Sequence, residues 1–193
     1  MSNEVIRRIF IFCFIGVVMV FLTLITHETG HVLMAKRYDG EILRVKLLGV
    51  EVYPEVKFSG FENNFGSVRY TGGSSYKEHG WIYLMGSGTN WLIAIGGLLV
   101  LFLFKIFRVK NFYLNTIFIF MSLMFLDFIT YMFGWRLSGE KEPFTAAEYL
   151  GWNESIFFVC VMLSGALHLL AVIYLLVTSG YWRNFTAKQD YIN

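Results

Sequence analysis

Thr26-His27-Glu28-Thr29-Gly30-His31 is the stretch that decides how this chain is read. His27 and His31 stand four residues apart, so on a helix both imidazoles leave one face and can reach the same metal ion. Glu28 follows the first His, where a carboxylate can act as general base towards a metal-activated water. From Ile9 to Thr26 the chain carries no charged residue. About 20 apolar residues suffice to cross a bilayer. The pattern therefore predicts a helix over about 9–38 that carries a metal site into a membrane.

Composition agrees. The chain is 56% apolar and 19% aromatic, well above the soluble average. Its 193 residues suit one compact domain. A net charge of +2 is too small to point to nucleic acid. The two cysteines, Cys13 and Cys160, lie in apolar runs and read as packing residues, not as a disulfide framework. Arg7 and Arg8 before the first apolar run look like the start of a secretory signal. No small-residue cleavage site follows, however, and cleavage would remove the motif.

Outward from the motif, residues 40–78 change character. Ile42–Leu47, Val50–Tyr53 and Phe65–Tyr70 alternate roughly with period two, and Gly40, Gly49, Pro54, Gly60, Gly66 and Gly72-Gly73 punctuate them. This predicts short strands or hairpins at the membrane surface. Three further apolar runs predict helices over about 80–105, 111–135 and 155–182. Lys105, Arg108 and Lys110 make a basic turn after the second helix. Residues 136–154 read as an acidic loop broken at Ser138-Gly139 and Pro143, with Thr145 capping a short helix over 146–150. The expected fold is an all-α polytopic membrane protein. It has about four transmembrane helices, with a small membrane-associated β region between the first two, in a single membrane-embedded domain over 1–193.

Depth narrows the choice of a third ligand. Four spans put both termini and the basic turn on one side. Counted from Arg8, His27 lies about 28 Å deep, and counted from Lys110 on the same side, Asp127 lies about 25 Å deep. His168 is about 21 Å from the opposite face, far from the His27 level, and reads as a packed or hydrogen-bonded helix residue. A carboxylate in a membrane needs a partner. No Lys or Arg lies within the spans, so a divalent metal is the simplest one for Asp127. Glu140, Glu142 and Glu148 are its rivals if the acidic loop folds back.

Two imidazoles and one carboxylate would leave a position on zinc for water. Glu28 would take the proton of that water and pass it to a leaving amine. The metal, with Asn90, would stabilise the oxyanion. An edge strand from residues 42–58 would hold the unwound substrate extended.

These residues resemble the site-2 protease family of intramembrane zinc metalloproteases. His27, Glu28 and His31 match the His-Glu-x-x-His of its first core helix. Gly86-Ser87-Gly88-Thr89-Asn90 looks like the Gly-Pro-x-x-Asn that opens the next, with Ser87 in place of Pro. Asp127 looks like the ligand Asp of the third, with Phe128 where the family has Gly. The likeness covers roughly residues 9–135. It implies regulated intramembrane proteolysis, a Zn2+ cofactor, a transmembrane or membrane-anchored protein substrate and a regulatory membrane partner. It also implies a multi-pass protein of the cell membrane whose site opens to the cytosol. The positive-inside rule applied to Arg7, Arg8, Lys105, Arg108 and Lys110 points the other way. The alternative is a non-catalytic membrane scaffold, or a degenerate protease that binds transmembrane helices without cutting. Glu28 argues against it, because a pure binder has no use for a base at that spacing.

Overall fold

The structure is a computed structural model that describes residues 3–60, 65–103, 111–138, 141–179 and 181. Six helices and a four-stranded antiparallel sheet make up these residues. The first helix, α1 (Asn3–Arg37), runs unbroken through the motif. Lys36 and Arg37 in its last turn suit the negative end of the helix dipole. It ends where Asp39 turns left-handed (φ 55°) and the Gly40 amide returns to the Ala35 carbonyl at 2.9 Å.

The sheet follows as β1 (Glu41–Leu47), β2 (Val50–Tyr53), β3 (Lys57–Phe58) and β4 (Gly66–Thr71), in the order β3-β2-β1-β4. β1 and β2 are joined through Leu48 and Gly49, both at positive φ as a tight hairpin requires. The alternating segments at 42–47, 50–53 and 65–70 thus become strands. Within 42–58, where a substrate-holding edge is expected, only the short β3 lies at an edge. β1 is interior, β2 is flanked on both sides, and the edges are the two-residue β3 and the longer β4.

Next come α2 (Tyr76–Leu103), α3 (Phe112–Leu123), α4 (Leu126–Ser138), α5 (Glu142–Tyr149) and α6 (Glu154–Ser179). The third apolar run is therefore two helices, not one. The chain breaks at Met124-Phe125, and three-residue hydrogen bonds replace the helical ladder there. His168 of α6 donates from Nε2 to the Ser122 carbonyl at 2.7 Å, satisfying an acceptor beside the break. Among the described residues, four stretches are long and apolar enough to cross a membrane: α1, α2, residues 112–133, and α6. Cys13 and Cys160 are free, and both are exposed on α1 and α6 instead of packed inside. Apolar residues surround those helices on all sides, so an apolar run does not say which face is covered. The basic turn Lys105–Lys110, Gly139 and Glu140 lie outside the described residues.

Close approaches of backbone position the site. At Gly30 a Cβ would lie 2.8 Å from the Met85 carbonyl carbon, so α1 crosses α2 without a side chain between them. At Gly80 a Cβ would meet the Leu150 side chain at 2.8 Å and Tyr149 at 3.1 Å, so α5 is seated on the start of α2. On its other side α5 stacks Phe144 against Phe158 of α6.

Candidate metal centre

His27 and His31 are buried, and their Nε2 atoms face each other at 3.1 Å. Each ring is fixed from its other nitrogen. His31 Nδ1 donates to the Ile82 carbonyl at 2.7 Å, which leaves Nε2 with its lone pair. His27 Nδ1 lies 2.9 Å from Asp127 Oδ2, and the ring stacks on Tyr131 with centroids 4.9 Å apart. Glu142 closes the arrangement. Its Oε2 is 3.2 Å from His27 Nε2 and its Oε1 is 3.5 Å from His31 Nε2. Burial pushes the Glu142 carboxyl up, but where protons on the two Nε2 atoms stand in for a metal, hydrogen bonds and ion pairs with the imidazoles outweigh this and hold it well below the usual carboxylate range.

Among the described residues, His27, His31 and Glu142 form the one group of three whose donor atoms could hold a metal ion. The spacing fits. Ligands at 2.0–2.1 Å on a tetrahedral ion stand about 3.3 Å apart, and the contacts here are 3.1, 3.2 and 3.5 Å. Two imidazole nitrogens and a carboxylate aimed at one point call for positive charge there, which either imidazole protons or a metal ion can supply. Gly86 of α2 makes the room. A Cβ there would sit 2.6 Å from His31 Cε1 and 2.7 Å from His27 Nε2, inside the space where the donors converge.

Asp127, expected as third ligand, takes another place. It is level with His27, as depth predicted, but its carboxylate meets Nδ1, on the side away from Glu142. Asn90 also differs from its expected role beside a reacting carbonyl. Its amide donates to Asp127 Oδ2 at 2.9 Å and to the Thr23 carbonyl at 3.0 Å, so both hydrogens are committed. Its carbonyl meets the Thr26 hydroxyl.

Glu28 is buried, and its carboxylate lies over Gly66, where a Cβ would come within 2.8 Å of Glu28 Cδ. The base candidate therefore faces the start of β4, inside the fold. Outward of the site, the Tyr70 hydroxyl sits 3.1 Å from His79 Nδ1. Burial, then the neighbouring Tyr83, Tyr149 and Glu142, push the Tyr70 phenol up to about 12, so it stays protonated.

Glu142 was legible only as one rival among three. Pro143 was read as a breaker, whereas it stands in the first turn of α5, where its missing N–H costs nothing. An acidic residue beside that proline is the signal for a helix starting at 142, not at 146. Lys141, not Thr145, is the N-cap. No family model matches the chain, and neither a curated protein nor a solved structure matches it.

Proposed function

We propose that this protein is a multi-pass membrane zinc metalloprotease of the site-2 kind. On this reading it cuts a peptide bond of a transmembrane or membrane-anchored protein. The observation that carries the proposal is the convergence of His27 Nε2, His31 Nε2 and Glu142 on one point beside Glu28. A zinc ion held there would supply Lewis-acid polarisation of a water and of a peptide carbonyl. Glu28 would accept the water proton and return it to the leaving amine. Gly86 keeps the centre open, and Gly66 leaves room for the Glu28 carboxylate.

The membrane assignment is supported by the surfaces. Phe10 and Val20 of α1 are each 71% exposed, as is much of that helix. So long an apolar face would not persist in water. Trp81 and Trp152 meet edge to face at 5.9 Å, and Tyr76 and Tyr149 at 5.4 Å, as in an interfacial aromatic belt. Gly86 is five residues beyond Trp81, about 8 Å along the helix, so the centre lies shallow enough for water to reach. Among the described residues β4 is an edge strand, with Gly66 against the base. An extended peptide added to it would pass Glu28.

The test uses purified protein in detergent, its zinc content, and cleavage of a panel of membrane-anchored peptides. Wild type should hold one zinc and cut. Glu28→Gln should hold one zinc and not cut. Wild type without zinc would end the proposal, and zinc without cleavage of any peptide would favour the scaffold.

A further inference from the structure

We infer that Asn90 is a positioning residue for the metal-facing imidazole of His27 and acts through Asp127. The inference rests on the reading of a metal at His27, His31 and Glu142. Four groups form the chain. The Thr26 hydroxyl meets the Asn90 carbonyl, the Asn90 amide donates to Asp127 Oδ2, and the same oxygen accepts a hydrogen bond from His27 Nδ1–H. Asn90 also donates to the Thr23 carbonyl. Three helices, α1, α2 and α4, are thus tied at one level, and Asn90 is fully buried between them.

The orientation of the amide follows from the network. Turned over, its carbonyl would face the Asp127 carboxylate and its NH2 would face Thr26. Only the present orientation lets Asn90 donate to the carboxylate and to the Thr23 carbonyl. Asp127 held in this way accepts a hydrogen bond from His27 Nδ1–H and fixes the tautomer that leaves His27 Nε2 free for a metal. Asp127 is half-buried, and its Oδ2 takes one hydrogen bond from His27 Nδ1. Asn90 supplies the second. With both hydrogens spent here, it has none for a substrate oxygen.

The test is zinc affinity, read by competition with a chromophoric chelator, and the visible spectrum of the cobalt-loaded protein. Neither readout needs turnover. Loss of an outer-shell partner typically costs about 10–100-fold in metal affinity. Asp127→Ala should fall in that range, and Asn90→Ala should cost about tenfold. The double variant should be no weaker than Asp127→Ala alone, because Asn90 has nothing left to position. Both single variants should shift the cobalt bands. Thr26→Val, a milder change, should move affinity in the same direction and covers the case in which Asn90→Ala does not fold. Unchanged affinity and spectrum in Asn90→Ala and Thr26→Val overturn the inference, as do losses that multiply in the double variant. Glu142→Ala is the reference. If wild type binds no zinc, or Glu142→Ala binds it as tightly as wild type, the metal-centre reading falls as well. If zinc depends on Glu142 while Asn90 is silent, only the role of Asn90 falls.

Discussion

Gly86→Ala adds one methyl group at a point with no room for it. The new Cβ would lie 2.6 Å from His31 Cε1 and 2.7 Å from His27 Nε2, against 3.4 Å for ordinary contact. The His31 ring, whose Nε2 lies nearer still, would have to retreat by more than about 0.8 Å and the His27 ring by about 0.7 Å. Neither is free to do so, because His31 is anchored on the Ile82 carbonyl at 2.7 Å and His27 on Asp127 at 2.9 Å. Metal–ligand distances tolerate only about 0.2 Å. The methyl group should therefore cost more than an outer-shell partner does, at least about 100-fold in zinc affinity. The helix itself should not suffer, since Ala is favoured over Gly in a helix interior by about 1 kcal/mol. Gly96→Ala, whose Cβ meets nothing within 4 Å, is the control. It should keep wild-type affinity and melt slightly higher. Chelator competition on all three proteins decides. Wild-type affinity in Gly86→Ala would refute the claim that α2 frames the centre.

Further outcomes follow from the packing. Gly80→Leu should unseat α5 and weaken zinc binding without touching a ligand, because Leu150 and Tyr149 already occupy that space; amide exchange over 142–149 should rise in parallel. His168→Leu should leave the Ser122 carbonyl unpaired and destabilise the protein by about 1–3 kcal/mol, measured by thermal unfolding in detergent, with zinc affinity unchanged. In metal-free protein the depressed Glu142 carboxyl stabilises the fold above its ordinary value of 4.5, and that stability is lost as pH falls through the lower folded value. The melting-temperature difference between wild type and Glu142→Gln should therefore hold from neutrality to about pH 5 and shrink below 4.5.

Much of the architecture was legible because single segments carry it. The His-x-x-x-His spacing places two rings on one helix face whatever surrounds it, and long uncharged runs read as helices on length alone. The alternation over 40–78 gave strands because glycines at 49, 66 and 72–73 set their limits. The third donor was harder because it depends on azimuth as well as depth. Residue counting put Asp127 level with His27 but could not say which ring nitrogen it would meet. The break between α3 and α4 carries no Pro or Gly. The Ser122 carbonyl beside it accepts a hydrogen bond from His168 of a distant helix, and nothing local announces it. Asn90 was expected to want a buried partner, and it has three, which is why it is not free for a substrate.

The central claim is that Glu142, not Asp127, completes the metal centre with His27 and His31. Zinc content after saturation and desalting tests it directly, on wild type, Glu142→Ala and Asp127→Ala. The account predicts one zinc per chain in wild type, none in Glu142→Ala, and one in Asp127→Ala, held less tightly. Zinc retained by Glu142→Ala and lost from Asp127→Ala would contradict it.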